Sequence, residues 1–358
     1  MKPIAIVALT LGGLGAALTA LLALPVGASL RASLTAPSAD AVLASLPAKP
    51  EQATPEKIAL GRKLFFDPVL SKSRSVSCSS CHSPQAAFAD PGGLAISPGV
   101  DNRRGRRNAI SLINAADRPA LTWSGASPSL ETQAMIPLTD HEEMDMSVGE
   151  VVGRLSADKR YTQMFSAAFG AAPTMQGTIK ALASYERTLI SRKSPYDAYQ
   201  AGDASALTEQ QVRGLDLFFG RADCFHCHTG RDFTDNLPHN NAVKLFNPDT
   251  GLAERTEKDE DVGKFITPSL RNVKMTAPYM HDGSFATLKD VVEHYNDGGQ
   301  PNPNTDPLIR PLGLSEVEVD DLLAFLQSLD DPTIAGNAAF APPSADAELA
   351  SNKDKNAR

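Results

Sequence analysis

The clearest pattern in this 358-residue chain is a helical one that occurs twice. Within 182–189, and again within 322–329, apolar residues recur at i, i+3 and i+7. This spacing places the apolar side chains on one face of a helix. The residues are Leu182, Tyr185 and Leu189 in the first stretch, and Leu322, Phe325 and Leu329 in the second. We predict an amphipathic helix at each place.

Other segments repeat in the same order upstream of these two helices. Residues 61–66 read GRKLFF and residues 214–219 read GLDLFF, at a constant offset of 153. Residues 88–90 (FAD) likewise match residues 233–235 (FTD). Strand-like alternation of apolar and polar residues is scarce. The sequence therefore predicts a mainly α fold that arose by internal duplication.

Capping residues mark where several of these helices begin. Thr54 precedes a proline, which is favoured at the first helical position. Residues 208–211 and 315–318 have the S/T-x-x-E/Q form of a capping box. We expect helices to start at these three points.

Each half also contains one CxxCH pentapeptide, at 78–82 and at 224–228, and together they use all four cysteines. CxxCH is the attachment motif of c-type haem. Its thiols form thioether bonds with the haem, and its histidine becomes an axial ligand of the iron. The motifs predict two cytochrome c-like haem domains with covalent haems on Cys78, Cys81, Cys224 and Cys227, and with His82 and His228 as iron ligands.

A zinc site or a redox dithiol is the alternative interpretation of these cysteines. Zinc needs four ligands at one site. Neither motif has a CxxC or HxxxH partner nearby in the chain. The sequence therefore favours haem attachment.

The N-terminus predicts export from the cytoplasm. Residues 4–24 are apolar and uncharged, follow Lys2, and precede a small-residue cleavage site before Ser29. The stretch is also just long enough for an uncleaved anchor, but either reading places the body in the periplasm. The predicted organisation is a signal peptide or anchor at 1–28, a linker at 29–53, an N-terminal haem domain at 54–203, a C-terminal haem domain at 204–331 and a flexible tail at 332–358.

The charge of the chain limits the choice of partners. The formal net charge is −8 at pH 7. A negative surface argues against nucleic acid as a ligand and mildly favours basic protein partners. We predict no contact with a membrane unless the N-terminal segment stays uncleaved.

The first haem lacks a nearby candidate for its sixth ligand. No histidine lies between His82 and His141, and the first methionine after His82 is Met135. An electron carrier has both axial positions filled, whereas an enzyme that acts on peroxide needs one open position. We predict a five-coordinate first haem.

Trp123 is followed by Gln133, Pro137 and Glu143, at ten, fourteen and twenty positions. With this spacing the sequence resembles the bacterial dihaem cytochrome c peroxidase and MauG family, over roughly 56–329. In that family a tryptophan lies between the haems, and Gln, Pro and Glu follow it at the same distances. The resemblance implies that Glu143 transfers protons during peroxide cleavage, with Gln133 as a hydrogen-bonding neighbour, and that Trp123 relays charge. From the residues alone, Glu143 could equally belong to a solvated acidic turn, and Trp123 to a core.

The tract 270–295 also resembles this family, and there the residue seventeen after a proline binds the second iron. Counting from Pro278 gives Tyr295. The family has Met here in the cytochrome c peroxidases and Tyr in MauG. The peroxidases also carry a displaceable histidine about sixteen residues after the first CxxCH, where this chain has Pro98. Both features favour the MauG type, with Met280 as the rival ligand.

Two further expectations come from the resemblance. Family members hold a calcium ion with an Asn side chain and two backbone carbonyls, and the matching residues are Asn108, Thr276 and Pro278. The implied activity is a periplasmic dihaem oxidoreductase that uses hydrogen peroxide to oxidise a tryptophan or tyrosine of a partner protein, as in the maturation of methylamine dehydrogenase. However, the second Trp of MauG, just before its second CxxCH, is absent at 221–223. The alternatives are a peroxidase supplied by a small cytochrome and a dihaem electron-transfer protein.

Overall fold

The computed structural model describes residues 37–47, 52–246 and 248–343, and it confirms a mainly α fold. The α-helices are α1 (Ala39–Ala44), α2 (Pro55–Phe66), α3 (Cys78–Cys81), α4 (Leu130–Thr139), α5 (Val148–Ala157), α6 (Lys159–Phe169), α7 (Met175–Glu186), α8 (Pro195–Gln200), α9 (Glu209–Phe219), α10 (Ala253–Thr256), α11 (Leu288–Asp297) and α12 (Glu316–Gln327). Single 3₁₀ turns occupy Pro68–Leu70, Pro84–Ala86, Val100–Asn102, Ala115–Asp117, Cys224–His226, Asp259–Asp261 and Val273–Met275. Two short strands, β1 (Pro238–His239) and β2 (Phe265–Ile266), pair antiparallel.

The three predicted helix starts are confirmed. Thr54 caps α2 by accepting the Lys57 amide, with proline at the first helical position. Capping boxes open α9 at Thr208 and α12 at Ser315. These local signals were readable in the sequence because each requires only residues within one turn of the helix.

The duplication is visible in how one helix pair packs in each half. In the first half Gly61 of α2 lies against α7, and a Cβ at this position would be 1.9 Å from the carbonyl oxygen of Ala181. In the second half Gly214 of α9 lies against α12, where a Cβ would be 2.0 Å from the carbonyl oxygen of Asp321. Both contacts require a residue without a Cβ. The matched glycines of the repeat therefore hold the same helix crossing twice.

Each half has its own hydrophobic core beside this crossing. In the first, Phe65 of α2 and Tyr185 of α7 meet with ring centroids 5.2 Å apart. In the second, Phe218 of α9 and Phe325 of α12 meet at 5.1 Å. Tyr196 of α8 packs on the second core, at 5.7 Å from Phe325. Helix α8 thus contacts the second half, although the sequence placed it within the first domain.

The described end of the predicted tail is packed rather than free. Ile334 and Phe340 are 0% and 5% exposed and belong to the core of the first half. The Phe340 ring meets Phe88 edge-on at 5.7 Å. Burying a large apolar side chain stabilises by about 1.5–3 kcal/mol. The prediction of a flexible tail was therefore wrong for residues 332–343, because two apolar residues in a Pro- and Ala-rich stretch are enough to dock it.

Part of the predicted linker is also ordered. Helix α1 lies within 29–53, is capped by Ser38, and buries Val42 in the first core. The signal peptide or anchor proposed for 1–28 lies outside the described residues. Within the described part of the chain, no helix is long and apolar enough to cross a membrane.

Candidate functional site

The two CxxCH motifs form short helical turns whose histidines are held in the same way. His82 lies at the end of α3, and its Nδ1 is 2.9 Å from the carbonyl oxygen of Phe88. His228 follows the turn at Cys224–His226, and its Nδ1 is 3.0 Å from the carbonyl oxygen of Phe233. Because a carbonyl only accepts, Nδ1 carries the proton in both rings. Nε2 is thus the atom that we predict to face the haem iron, with the ring fixed by its Nδ1 hydrogen bond.

The phenylalanines that accept these bonds have unusual backbone geometry. Phe88 has φ +59° and Phe233 has φ +52°. Positive φ is uncommon for a residue with a large side chain. Such geometry persists where surrounding structure enforces it, often at functional sites. Both halves use it to turn a carbonyl towards the histidine of their CxxCH motif.

The cysteines do not have the character of a redox dithiol. All four are free of disulfide bonds. Burial raises the pKa of the Cys81 and Cys227 thiols to about 11 and that of Cys224 to about 12. Reactive dithiols instead have a lowered pKa, because the thiolate is the nucleophile. These thiols suit covalent attachment to haem better than redox exchange.

Two cavities extend from the motifs and meet at Trp123. The first cavity is lined by Cys78, Cys81 and His82, and the second by Cys224, Cys227 and His228. Trp123 lines both cavities and is 8% exposed. Its Nε1 donates to the carbonyl of Asn108 at 2.8 Å, and its carbonyl accepts the Ile266 amide at 2.8 Å. The tryptophan is therefore fixed between the two predicted haem sites, and it is also a buried aromatic residue.

An ion pair between the halves lies close to this junction. The Arg107 guanidinium donates to both carboxylate oxygens of Asp249, each at 2.7 Å, and to Glu254 at 2.8 Å. Bidentate pairs of this kind fix geometry as well as charge. The halves are thus held in one orientation beside Trp123.

Glu143, Gln133 and Pro137 all line the first cavity. Gln133 and Pro137 project from α4, and Glu143 lies in the turn that follows it. The Glu143 amide donates to the Asp140 carbonyl, and the Glu143 carbonyl accepts the Val100 amide. No hydrogen bond joins Gln133 to Glu143 in the described structure. They share the cavity without being paired.

The carboxyl of Glu143 is electrostatically unusual. The Glu143 side chain is exposed in the open cavity, yet protein atoms crowd around its carboxyl group. Their desolvating effect, followed by the charges of Asp140 and Glu142, raises the pKa of Glu143 to about 7. A carboxyl group poised near neutral pH can both accept and return a proton.

Tyr295 and Met280, the two rival ligands, both line the second cavity. The side-chain amide of Asn241 lies between them. Its Nδ2 donates to the Tyr295 hydroxyl at 2.9 Å and is 3.4 Å from the Met280 sulfur. Burial raises the pKa of Tyr295 to about 12. Asn241 was missed by sequence reasoning, because an asparagine in a loop has no motif that would mark it.

The three residues expected to bind calcium lie on the wall of the second cavity. Asn108, Thr276 and Pro278 all line it. The Asn108 side-chain amide donates to the carbonyls of Leu94 and Ala95, at 3.3 and 3.0 Å. Its Oδ1 is therefore the atom that remains for a cation. Oxygen donors of this type are the ones that calcium prefers.

Two more ionisable residues line the first cavity and belong to no motif. Glu186, at the end of α7, is 4% exposed, and burial raises its pKa to about 8. Arg118 lines both cavities. Neither position stands out in the sequence, because each depends on packing between distant segments.

One group of three potential metal ligands occurs beside the second motif, formed by Cys227, Asp235 and His239. Both ring nitrogens of His239 are already occupied, by Asp306 at 2.7 Å and Asp235 at 2.8 Å. Cys227 is also one of the cysteines predicted to attach haem. The group does not provide the four ligands of a structural zinc site.

Comparison with known proteins gives a consistent result. Residues 55–205 match the family model of the di-haem cytochrome c peroxidases, and residues 211–330 match that of cytochrome c. The chain is 40% identical over 285 residues to the methylamine utilization protein MauG of Methylorubrum extorquens, which covers 78% of this chain and 80% of that protein. It is 36% identical over 329 residues to the cytochrome-c peroxidase IdrP1 of Denitromonas iodatirespirans, and this alignment covers 79% of the present chain and 86% of IdrP1.

A solved structure supports the same assignment. The crystal structure of a MauG-like protein associated with microbial copper homeostasis matches with a TM-score of 0.78 and 35% identity, over 84% of this chain and 98% of that one. The paired CxxCH motifs and their equivalent histidine geometry agree with that likeness. The chain therefore belongs to the dihaem cytochrome c peroxidase and MauG family, and it is a haem peroxidase-type oxidoreductase with two c-type haems.

Proposed function

We propose that the protein is a periplasmic MauG-like enzyme that uses hydrogen peroxide to oxidise a tryptophan or tyrosine of a partner protein. The observation that carries this proposal is the meeting of two unequal cavities at Trp123. The first contains a carboxyl group with a pKa near neutrality, and the second contains a tyrosine. The predicted sixth ligand Tyr295 and the absence of histidine at position 98 favour the MauG type.

Each cavity has a separate part in this proposal. Haem, when bound, supplies the iron at which the O–O bond is cleaved and the capacity to hold oxidising equivalents. Glu143 takes the proton from the near oxygen of peroxide and returns it to the leaving oxygen. Gln133 and Pro137 shape the same cavity, and Trp123 connects it to the second one.

The first test is the spin state of the ferric holoprotein. We expect one high-spin and one low-spin haem in the EPR spectrum. Stoichiometric peroxide should then produce a long-lived, doubly oxidised protein. A dihaem electron carrier would instead show two low-spin haems that do not respond to peroxide, and that result would exclude the proposal.

A second candidate is an ordinary cytochrome c peroxidase, which the 36% identity to IdrP1 supports. Reduced small cytochrome c distinguishes the two enzymes. Rapid peroxide-dependent oxidation of the cytochrome would favour the ordinary peroxidase. Slow turnover, together with oxidation of tryptophan or tyrosine in a captured partner, would favour the MauG-like function.

Replacing Trp123 with phenylalanine should slow the spread of oxidising equivalents from the first haem to the second by several-fold. Phenylalanine is much harder to oxidise than tryptophan. It also leaves the buried Asn108 carbonyl without its donor, which should cost about 1–3 kcal/mol of stability. Stopped-flow spectra after peroxide addition measure the transfer, and the haem content should stay at two per chain. Trp123→Tyr, which keeps an oxidisable ring, is the control; a wild-type rate in Trp123→Phe would contradict the relay.

Exchange of each rival ligand should identify the sixth ligand of the second haem. With Tyr295 bound, Tyr295→Phe should convert the low-spin signal to high-spin and raise the reduction potential of this haem, because an oxygen ligand favours the ferric state. Met280→Leu, its matched control, should leave both spectrum and potential unchanged. The opposite pattern would assign the ligand to Met280.

We also propose that Asn108 Oδ1 and the carbonyls of Thr276 and Pro278 bind a calcium ion. Their position on the wall of the second cavity, close to Trp123, supports this assignment. Oxygen ligands completed by water suit calcium. The cation would help to fix the segment around Asn108, which also accepts the Trp123 hydrogen bond.

A further inference from the structure

Arg118 lies where the two cavities meet, and among the described residues most of its N–H donors have no hydrogen-bond partner. It lines both cavities together with Trp123. Its Nη2 donates to the carbonyl of Ile113 at 3.1 Å. Its Nε is buried and has no hydrogen-bond partner within the described part of the chain. A cationic side chain with unused donors is thus held at the junction.

The carboxylate whose charge acts on Arg118 is already engaged by other residues. Asp232 attracts Arg118 electrostatically. However, its oxygens accept from Arg192, at 2.7 and 3.0 Å, and from the Asn114 side chain at 2.8 Å. Among the residues that the structure describes, no carboxylate forms an ion pair with Arg118. No described residue therefore neutralises the charge of Arg118 through an ion pair.

An unpaired, desolvated cation is unfavourable. Burial lowers the pKa of Arg118 to about 10. The planar guanidinium presents parallel N–H donors that match the two oxygens of a carboxylate. Each c-type haem brings two propionate carboxylates, and both cavities carry a haem-attachment motif. The orphaned donors of Arg118 therefore fit an anionic edge of the cofactor.

We propose that Arg118 binds a haem propionate at the junction of the two cavities and fixes that edge of the haem beside Trp123. The bond neutralises a negative charge near the iron, which stabilises the ferrous state and raises the reduction potential of that haem. Arg118 acts through the haem and is a positioning residue. The inference depends on the two haems and not on whether the oxidised partner is a protein residue or a cytochrome.

The test is spectroelectrochemical titration of holoprotein with Arg118→Gln and Arg118→Lys. We expect Arg118→Gln to keep two haems and to shift the potential of one of them in the negative direction. Arg118→Lys, which keeps the charge but not the planar fork, should show a smaller shift. Arg213→Gln is the control, because Arg213 is an arginine outside both cavities that pairs with Asp321. A shift in the high-spin haem assigns the propionate to the first cavity, and one in the low-spin haem assigns it to the second.

Potentials in Arg118→Gln that differ from wild type no more than those of Arg213→Gln would overturn the proposal. If Arg118→Gln does not assemble, the crystal structure of the wild-type holoprotein decides. A propionate oxygen within hydrogen-bond distance of the Arg118 guanidinium supports the proposal. A guanidinium that faces away from every propionate excludes it. Neither measurement depends on peroxidase turnover, so the result stands apart from the proposed function.

Discussion

Replacing Glu143 with glutamine is expected to slow the reaction of the ferric holoprotein with hydrogen peroxide by about 10²–10⁴-fold, the usual contribution of a general acid–base group. Glutamine has nearly the same shape but cannot accept a proton. Stopped-flow absorbance with excess peroxide measures the rate constant. Haem content and spin states should match those of the wild type, since Glu143 binds neither haem covalently nor iron. A loss smaller than tenfold would remove Glu143 from this role.

The same residue should give the reaction its pH dependence. Burial and the charges of Asp140 and Glu142 raise the pKa of Glu143 to about 7. Only the deprotonated carboxylate can take a proton from peroxide, so the rate should rise as pH increases through about 7 and then level off. Glu143→Gln should abolish this step. Glu142→Gln removes one of the neighbouring charges, so it should move the midpoint to lower pH and leave the plateau in place.

The pKa of Glu143 also has a consequence for stability. Its folded-state pKa lies above the ordinary value of 4.5, so the folded chain favours the protonated form. The resulting stabilisation is complete below about pH 4.5 and is lost as pH rises through about 7. At neutral pH the carboxyl therefore contributes less to stability than it does below about pH 4.5.

Gly214→Ala is expected to destabilise the second half by at least about 1–3 kcal/mol, the usual cost of overpacking. The new Cβ would be 2.0 Å from the Asp321 carbonyl oxygen, so α9 and α12 must move apart. Backbone atoms cannot rotate away as a side chain can. Thermal unfolding followed by circular dichroism gives the change in Tm. The spectrum of the second haem should change more than that of the first.

Gly153→Ala is the matched control for this substitution. Gly153 lies on the exposed side of α5, and a Cβ there would meet nothing within 4 Å. Alanine should stabilise here by about 0.4–1 kcal/mol, because it restricts the unfolded chain. A Tm for Gly214→Ala equal to that of Gly153→Ala would show that the helix crossing tolerates a larger separation.

The sequence predicted features that depend on local spacing or on repetition. The caps at Thr54, Thr208 and Ser315 need only one helical turn each, and the matched glycines Gly61 and Gly214 were visible because the repeat aligns them. The cavity residues of the first half followed from a spacing shared with a known family. All of these signals can be recognised from the order of the residues in the chain.

Features that depend on contact between distant segments could not be predicted. Asn241 was not recognised beside Tyr295, because 54 residues separate the two positions. Arg118 is notable only because no described carboxylate forms an ion pair with it, and the sequence does not reveal this. Residues 332–343 were predicted to be a tail from their overall composition. The two apolar residues that are buried in the structure have little weight in that composition. Burial of single residues against a remote core leaves almost no trace in composition.

The docking of Ile334 and Phe340 means that the two repeats are no longer separable. Ile334 and Phe340 follow the second repeat in the chain, yet they belong to the core of the first repeat. During synthesis on the ribosome, the first core therefore cannot be completed until the second repeat has been made. Cutting the chain between the repeats would not recover an ancestral single-haem cytochrome. It would leave a fragment in which the Phe88 ring loses its contact with Phe340, beside the histidine of its own CxxCH motif.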